Sequence, residues 1–213
     1  MSEIINSIIL AGGQSLRLGK DKALTTVGGM NLIERVSSRL KLFSDRIMVV
    51  TSQELFPLLT ASYQGEIIVD KYIRRGPLVG VYTGLLAATS QHILAVACDM
   101  PFLNVELLNY IINLSAGYDA IVPCLSGGET EPLHAVYSRN CIGTIKGMLE
   151  SKDWSMNTLL KKLNVRCVTE EECRRYDPEL LSFFNVNNRQ DLERAEGIAA
   201  KIKEEHSMQG YHS

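Results

Sequence analysis

The chain has 213 residues, with 22 basic against 24 acidic side chains and a formal charge of −2. That balance excludes nucleic-acid or anionic-membrane binding driven by net charge, and no apolar run reaches the length of a bilayer span. A chain of this size is expected to form one domain over 1–213, burying roughly 70% of its unfolded surface without staples.

In chain order, a β-rich run Ile4–Leu10 stops abruptly at Ala11-Gly12-Gly13. Leu32, Ile33, Val36 and Leu40 recur at helical spacing and predict a helix from about Asn31 to Leu42. Ile47–Thr51 reads as a buried strand, with a short helical piece ending near Thr60, and Glu66–Asp70 as another strand. A helix from Pro77 to Thr89 follows, with Pro77 in the first turn where its missing N–H costs nothing. Ile93–Ala97 is continuously apolar, as a parallel strand buried on both faces would be.

A helix from Val105 to about Leu114 and a strand Asp119–Pro123 continue the alternation. Beyond them come a turn at Gly127-Gly128, a short strand Leu133–Tyr137 and helices over Asn140–Leu149 and Met156–Leu163. A strand near Val165–Val168 precedes a final amphipathic helix from about Arg189 to Lys203, with a frayed tail over 206–213. Strands alternating with helices imply a Rossmann-like three-layer α/β/α fold around a mostly parallel sheet with right-handed crossovers.

The N-terminus MSEIINSIIL has an acidic residue and no basic n-region, so it does not read as a secretory signal. Five cysteines without a C-x-x-C pair read as reduced, mostly buried thiols of a cytoplasmic protein. His134, in Glu131-Pro132-Leu133-His134, is expected to be a structural strand residue.

The segment from Ile8 to Leu24, IILAGGQSLRLGKDKAL, carries the chemistry. Two glycines after a strand can take positive φ and present bare amides. A turn of that kind forms a concavity of dipoles suited to phosphate oxygens. Arg17 and Lys22 add full positive charge, so a nucleoside-triphosphate pocket is expected around Leu10, Ala11, Gly12 and Gly13. The loop is neither G-x-x-x-x-G-K-[ST] nor G-x-G-x-x-G. Taken alone, it is also compatible with an ordinary turn and solvated charges.

The pattern Leu10-Ala11-Gly12-Gly13, Ser15, Arg17, Gly19, Asp21-Lys22-Ala23-Leu24 resembles the N-terminal signature of the molybdenum cofactor guanylyltransferases. Leu18 stands where that family usually has methionine, an apolar swap of similar volume. Sugar-1-phosphate nucleotidyltransferases and cytidylyltransferases acting on the same pterin resemble it less closely.

Three further motifs fall at strand ends, where open α/β sheets bind ligands. Asp99-Met100-Pro101 places a carboxylate after Ile93–Ala97; alone, such an aspartate is more often an N-cap. The family's Asp-x-Pro implies that Asp99 is a Mg²⁺ ligand, with Mn²⁺ as a substitute. Oxygen donors and phosphates suit those ions better than zinc. Asp70, and less directly Thr51, are nucleotide-binding candidates. Gly76, Pro77 and Gly80 match the family's G-P-L-A-G with Val79 for alanine, implying backbone approach to the acceptor; the plain alternative is a tightly packed helix start. Asn185-Val186-Asn187 matches the family's N-V-N, with Asn188-Arg189 replacing Thr-Pro. Asn185 and Asn187 should share one side of an extended segment. The resemblance implies that both bind acceptor, and Asn187 is also a candidate second metal ligand.

By that resemblance the chain is expected to move GMP from GTP to the terminal phosphate of molybdopterin, releasing pyrophosphate, with Arg17, Lys22 and Asp99 as catalytic residues. A phosphate nucleophile with second pKa near 6 is largely ionised at neutral pH and needs no base. GTP and molybdopterin would be the small-molecule partners, with a molybdoenzyme or cofactor-insertion protein receiving the product. A cytidylyl- or sugar-1-phosphate transferase, or a non-catalytic nucleotide-binding protein, are the alternatives.

Overall fold

A computed structural model describes residues 5–12, 22–70 and 76–209. The elements are β1 (Ile5–Ala11), a 3₁₀ turn (Lys22–Leu24), β2 (Thr26–Val27), β3 (Met30–Asn31), α1 (Leu32–Leu40), β4 (Ser44–Thr51), α2 (Phe56–Ser62) and β5 (Glu66–Val69). They continue with α3 (Pro77–Ala87), β6 (His92–Ala97), α4 (Val105–Asn113), β7 (Ala120–Cys124), β8 (His134–Ser138), α5 (Cys141–Glu150) and α6 (Met156–Lys162). The last are β9 (Val165–Thr169), α7 (Glu170–Arg174), a 3₁₀ turn (Leu181–Phe183) and α8 (Arg189–Gln209).

Seven strands form one sheet in the order β5-β4-β1-β6-β8-β7-β9. All run parallel except β8, which is antiparallel to both neighbours. The expected sheet is therefore present with one strand reversed. Gly127 and Gly128 turn the chain before β8, each at positive φ (93° and 83°). β1 is buried along its whole length, and its alternate residues enter different cores. Ile5 and Ile9 pack with Ile33, Val36 and Leu40 of α1 and with the apolar face of α4. Ile8 and Leu10 pack with α3 and α5. This period of two, applied to a strand covered on both faces, is what makes three layers.

Several ends are set by side-chain caps. Asn104 accepts from Leu107 N at 2.9 Å at the start of α4, and Thr169 with Glu172 forms a capping box on α7. Asn188 accepts from Asp191 N at 3.0 Å, so it caps α8 despite the missing Thr-Pro. α8 runs to Gln209, beyond the expected end at Lys203. The hairpin β2–β3 and the short α7 were not expected; two-residue strands and a five-residue helix are too short to show a period. No helix of the described residues is long and apolar enough to cross a membrane.

The cysteines need a correction. Cys98, Cys141 and Cys173 are buried and form no disulfide, as expected, but Cys124 and Cys167 are joined, with Cα atoms 5.7 Å apart. They lie on β7 and β9, which pair directly so that Val122 faces Cys167 and Cys124 faces Thr169. A 43-residue separation hides that adjacency from the sequence.

Gly84 of α3 lies against β1. A Cβ there would sit 2.6 Å from Ile8 Cδ1 and 2.7 Å from its Cγ2, and Ile8 is fully enclosed. Gly84→Ala should therefore lose about 1–2 kcal/mol net, overpacking outweighing the roughly 1 kcal/mol gain in helix propensity. A lower urea midpoint would register the loss; an unchanged or higher one would contradict this packing.

Candidate active site

The chain builds the sheet outward from β1 through β4 to β5, then returns to place β6 on the other side of β1. A crevice opens at such a reversal, beyond the carboxyl ends of the strands. Leu10 faces Ala97 across it, while Ala11 faces Thr51 and Thr51 faces Val69. The strand ends are thus level, and an open cleft lies over them.

Most of the expected site residues converge here. Leu10, Ala11, Gly12, Lys22, Thr51, Asp70, Gly76, Pro77, Gly80 and Asp99 all line the cleft. Gly13 and Arg17 lie outside the described residues. The cleft also takes Val50, Ser52, Leu55, Cys98 and Leu133, which the sequence reading did not include. Leu133 comes from a turn far along the chain, and apolar walls carry no motif.

The floor is fixed by backbone and side-chain bonds. Cys98 N donates to Leu10 O at 3.2 Å and Asp70 N to Thr51 O at 2.8 Å. Thr51 Oγ1 donates to Ala11 O at 2.8 Å, so this hydroxyl braces the end of β1. Gly80 lines the cleft, and a Cβ on it would meet Leu10 Cδ2 at 2.6 Å, so close helix–strand packing favours glycine there whatever the ligand.

Over the cleft, Lys22 Nζ is ion-paired with Asp99 Oδ2 and donates to Asn187 Oδ1 at 2.7 Å. The loop carrying Asn187 is docked by Val186 N donating to Asp99 O at 3.0 Å. The two asparagines diverge in their bonding. Asn187 joins the Lys22–Asp99 pair, whereas Asn185 Nδ2 donates to Phe183 O at 3.0 Å within its own loop. Backbone alternation does not decide where an amide finds its partner. Asp191 then accepts from Asn187 N at 2.9 Å and Asn188 N at 3.2 Å, anchoring the loop to α8.

Residues 7–167 match the MobA-like NTP transferase domain. The chain is 35% identical over 205 residues to a probable molybdenum cofactor guanylyltransferase of Peptoclostridium acidaminophilum, covering 93% of this chain and 91% of that one. It is 35% identical over 196 residues to the molybdenum cofactor guanylyltransferase of Desulfosudis oleivorans, covering 91% and 95%. The crystal structure of molybdopterin-guanine dinucleotide biosynthesis protein A from Archaeoglobus fulgidus superposes with a TM-score of 0.82 at 30% identity, over 92% of this chain and all of that one.

The chain belongs to the molybdenum cofactor guanylyltransferase family.

A more distant likeness, to 4-diphosphocytidyl-2C-methyl-D-erythritol synthase of Anaerococcus prevotii (TM-score 0.68, 16% identity, 93% of this chain and 99% of that one), shows the fold alone. Asp70 and Asp99 are the carboxylates that line this cleft among the described residues, and Asp99 carries the ion pair with Lys22. Its second oxygen, Oδ1, is buried and meets no hydrogen-bond partner among the described residues. An orphaned carboxylate oxygen is costly unless a cation takes it. Glu131, absent from the expected set, adds to the negative field. Burial first, then the charges of Glu129 and Asp99, raise its carboxyl above the usual range. Among the described residues no group of three or more His, Cys, Asp and Glu is placed to hold a metal.

Cys141, Cys173 and His134 are not among the residues that line the cleft. Burial pushes the Cys141 and Cys173 thiols up to about 12. His134 is fully enclosed in β8, with its ring centroid 4.9 Å from that of Phe183, the structural place expected of it. Neither ring nitrogen finds a partner among the described residues, and burial lowers its pKa from 6.5 to about 3.

Because the folded value lies below the unfolded one, His134 contributes stability above pH 6.5 that is lost as pH falls from 6.5 towards about 3. The slope should reach about 1.4 kcal/mol per pH unit. Urea melts between about pH 7 and about pH 4 should show this decline, flattened in His134→Leu; an identical slope in the variant would refute the assignment.

Proposed function

We propose that the chain transfers GMP from GTP to the terminal phosphate of molybdopterin, forming molybdopterin guanine dinucleotide and pyrophosphate. The observation that carries this reading is the convergence of Gly12, Lys22 and Asp99 on one cleft at the sheet's reversal, in a chain of this family.

An oxygen of the acceptor phosphate attacks the α-phosphorus, the bond from that phosphorus to the α–β bridging oxygen breaks, and pyrophosphate departs with the electron pair. Such a transfer asks for alignment and neutralisation of charge rather than proton removal. That suits a cleft lined by no histidine among the described residues.

The turn after β1 would offer backbone amides to phosphate oxygens, and Lys22 would neutralise the leaving group. At 4 Å, opposite unit charges attract by about 4 kcal/mol at an effective dielectric of 20. Asp99 would hold Mg²⁺, which supplies Lewis-acid stabilisation of phosphate charge when bound. Val50, Leu55 and Leu133 would give the base an apolar wall, and Gly76-Pro77 brings backbone to the same cleft.

We place the reaction in the cytoplasm, with the finished dinucleotide passing to a molybdoenzyme or an insertion partner.

Pyrophosphate release, measured with molybdopterin and each of GTP, CTP, ATP and UTP, should favour GTP. A preference for another nucleotide would replace this reading. Lys22→Ala and Asp99→Ala should each lower kcat by about 100- to 1,000-fold, the cost of removing a preorganised electrostatic group, with the far-UV spectrum retained. Near-normal turnover in either would remove that residue from the mechanism.

A further inference from the structure

Lys22, Asp99 and Asn187 form a closed arrangement with a consequence for how metal and nucleotide enter. Asp99 Oδ2 carries the Lys22 ammonium, and Oδ1 is buried. The side chains of Lys22 and Asp99 are only 15% and 16% exposed. A divalent cation must exchange water for a bare carboxylate oxygen, and here one oxygen is occupied and the other covered. Asn187 Oδ1, at 2.7 Å, holds the same ammonium from the far side. That amide is itself placed by Val186 N on Asp99 O and by Asp191 on Asn187 N.

A cation arriving alone must evict a like-charged ammonium that already neutralises the acid. A triphosphate changes the balance, because it offers Lys22 a denser set of negative oxygens in the same cleft. The lysine can then move from carboxylate to phosphate while a metal takes its place. Throughout that exchange neither the acid nor the ammonium is left buried and unpaired, which is the costly state.

We propose that Lys22 is a resident countercation that keeps Asp99 closed to free metal ions, and that Asn187 is the positioning residue that holds it there. Metal binding at Asp99 is thereby conditional on a bound nucleoside triphosphate. The inference rests on reading the cleft as a nucleoside-triphosphate site. It gives Asn187 a task other than contact with the acceptor, and it gives Lys22 two successive partners. By linkage, metal and nucleotide each strengthen the other's binding by the same factor.

The test uses the full chain without nucleotide and Mn²⁺ alone as probe, followed by electron paramagnetic resonance of the free ion. Wild type should bind weakly. Lys22→Met should bind at least about tenfold more tightly, a coupling of ordinary size between linked sites. Asn187→Ala should gain less than Lys22→Met, and adding Asp99→Asn to Lys22→Met should abolish the gain. Lys22→Gln repeats the comparison should the methionine variant not fold. Equal Mn²⁺ affinity in wild type and the Lys22 variant, or a gain that survives Asp99→Asn, would overturn the proposal. So would tight Mn²⁺ binding by the nucleotide-free wild type, whatever the variants do. Each of those results is separable from failure of the functional reading, which would appear as absent GTP-dependent pyrophosphate release by the wild type.

Discussion

One ammonium group, held between a carboxylate and an amide oxygen, joins three segments separated by 77 and 165 residues. Without it both oxygens of Asp99 would lack a partner among the described residues, near a glutamate, Glu131, whose carboxyl is already raised by burial and by like charges. Positive charge is thus a structural requirement of this site as well as a chemical one. A polyanionic substrate satisfies the lysine and a divalent ion satisfies the acid, so the same imbalance that costs stability in isolation favours the loaded state.

The placement of that ammonium depends on a small core apart from the two that sandwich the sheet. Val27, Leu32, Phe102, Val186, Ala195 and Ala199 pack together. They draw the hairpin after Lys22, the turn after Asp99 and the loop carrying Asn187 onto α8. Phe102 and Phe184 meet with centroids 5.9 Å apart, three residues from Asp99 and from Asn187 respectively. Arg35 of α1 lies 5.8 Å over Phe102 and donates to Val27 O at 2.9 Å, while Gly28 N donates to Glu196 at 3.0 Å. Packing of this kind holds side chains to their geometry far better than loop chemistry alone.

The regular elements and most of the cleft were legible in the chain itself. β1, β6 and α1 announced themselves by continuous or periodic apolar residues, and strand-end positions such as Asp70 and Asp99 followed because ligands of open sheets gather there. The reversal of β8 was not legible, since five residues of buried strand look alike in either direction. Nor was the neighbourhood of Cys124 and Cys167, which depends on β9 adding beside β7. Thr51 and Gly80 show the same limit at single residues: both reach the cleft, yet one hydroxyl braces a carbonyl and one glycine makes room for Leu10.

By itself the sequence determined the alternation of layers and the residue types at strand ends. These rest on spacing within a few positions. Only the tertiary structure decided that Lys22 sits on Asp99, that Asn187 joins them while Asn185 turns to its own loop, and that Leu133 walls the cleft. Those contacts arise from how separate layers stack, and residues brought together by packing across dozens of positions leave no local mark in the chain.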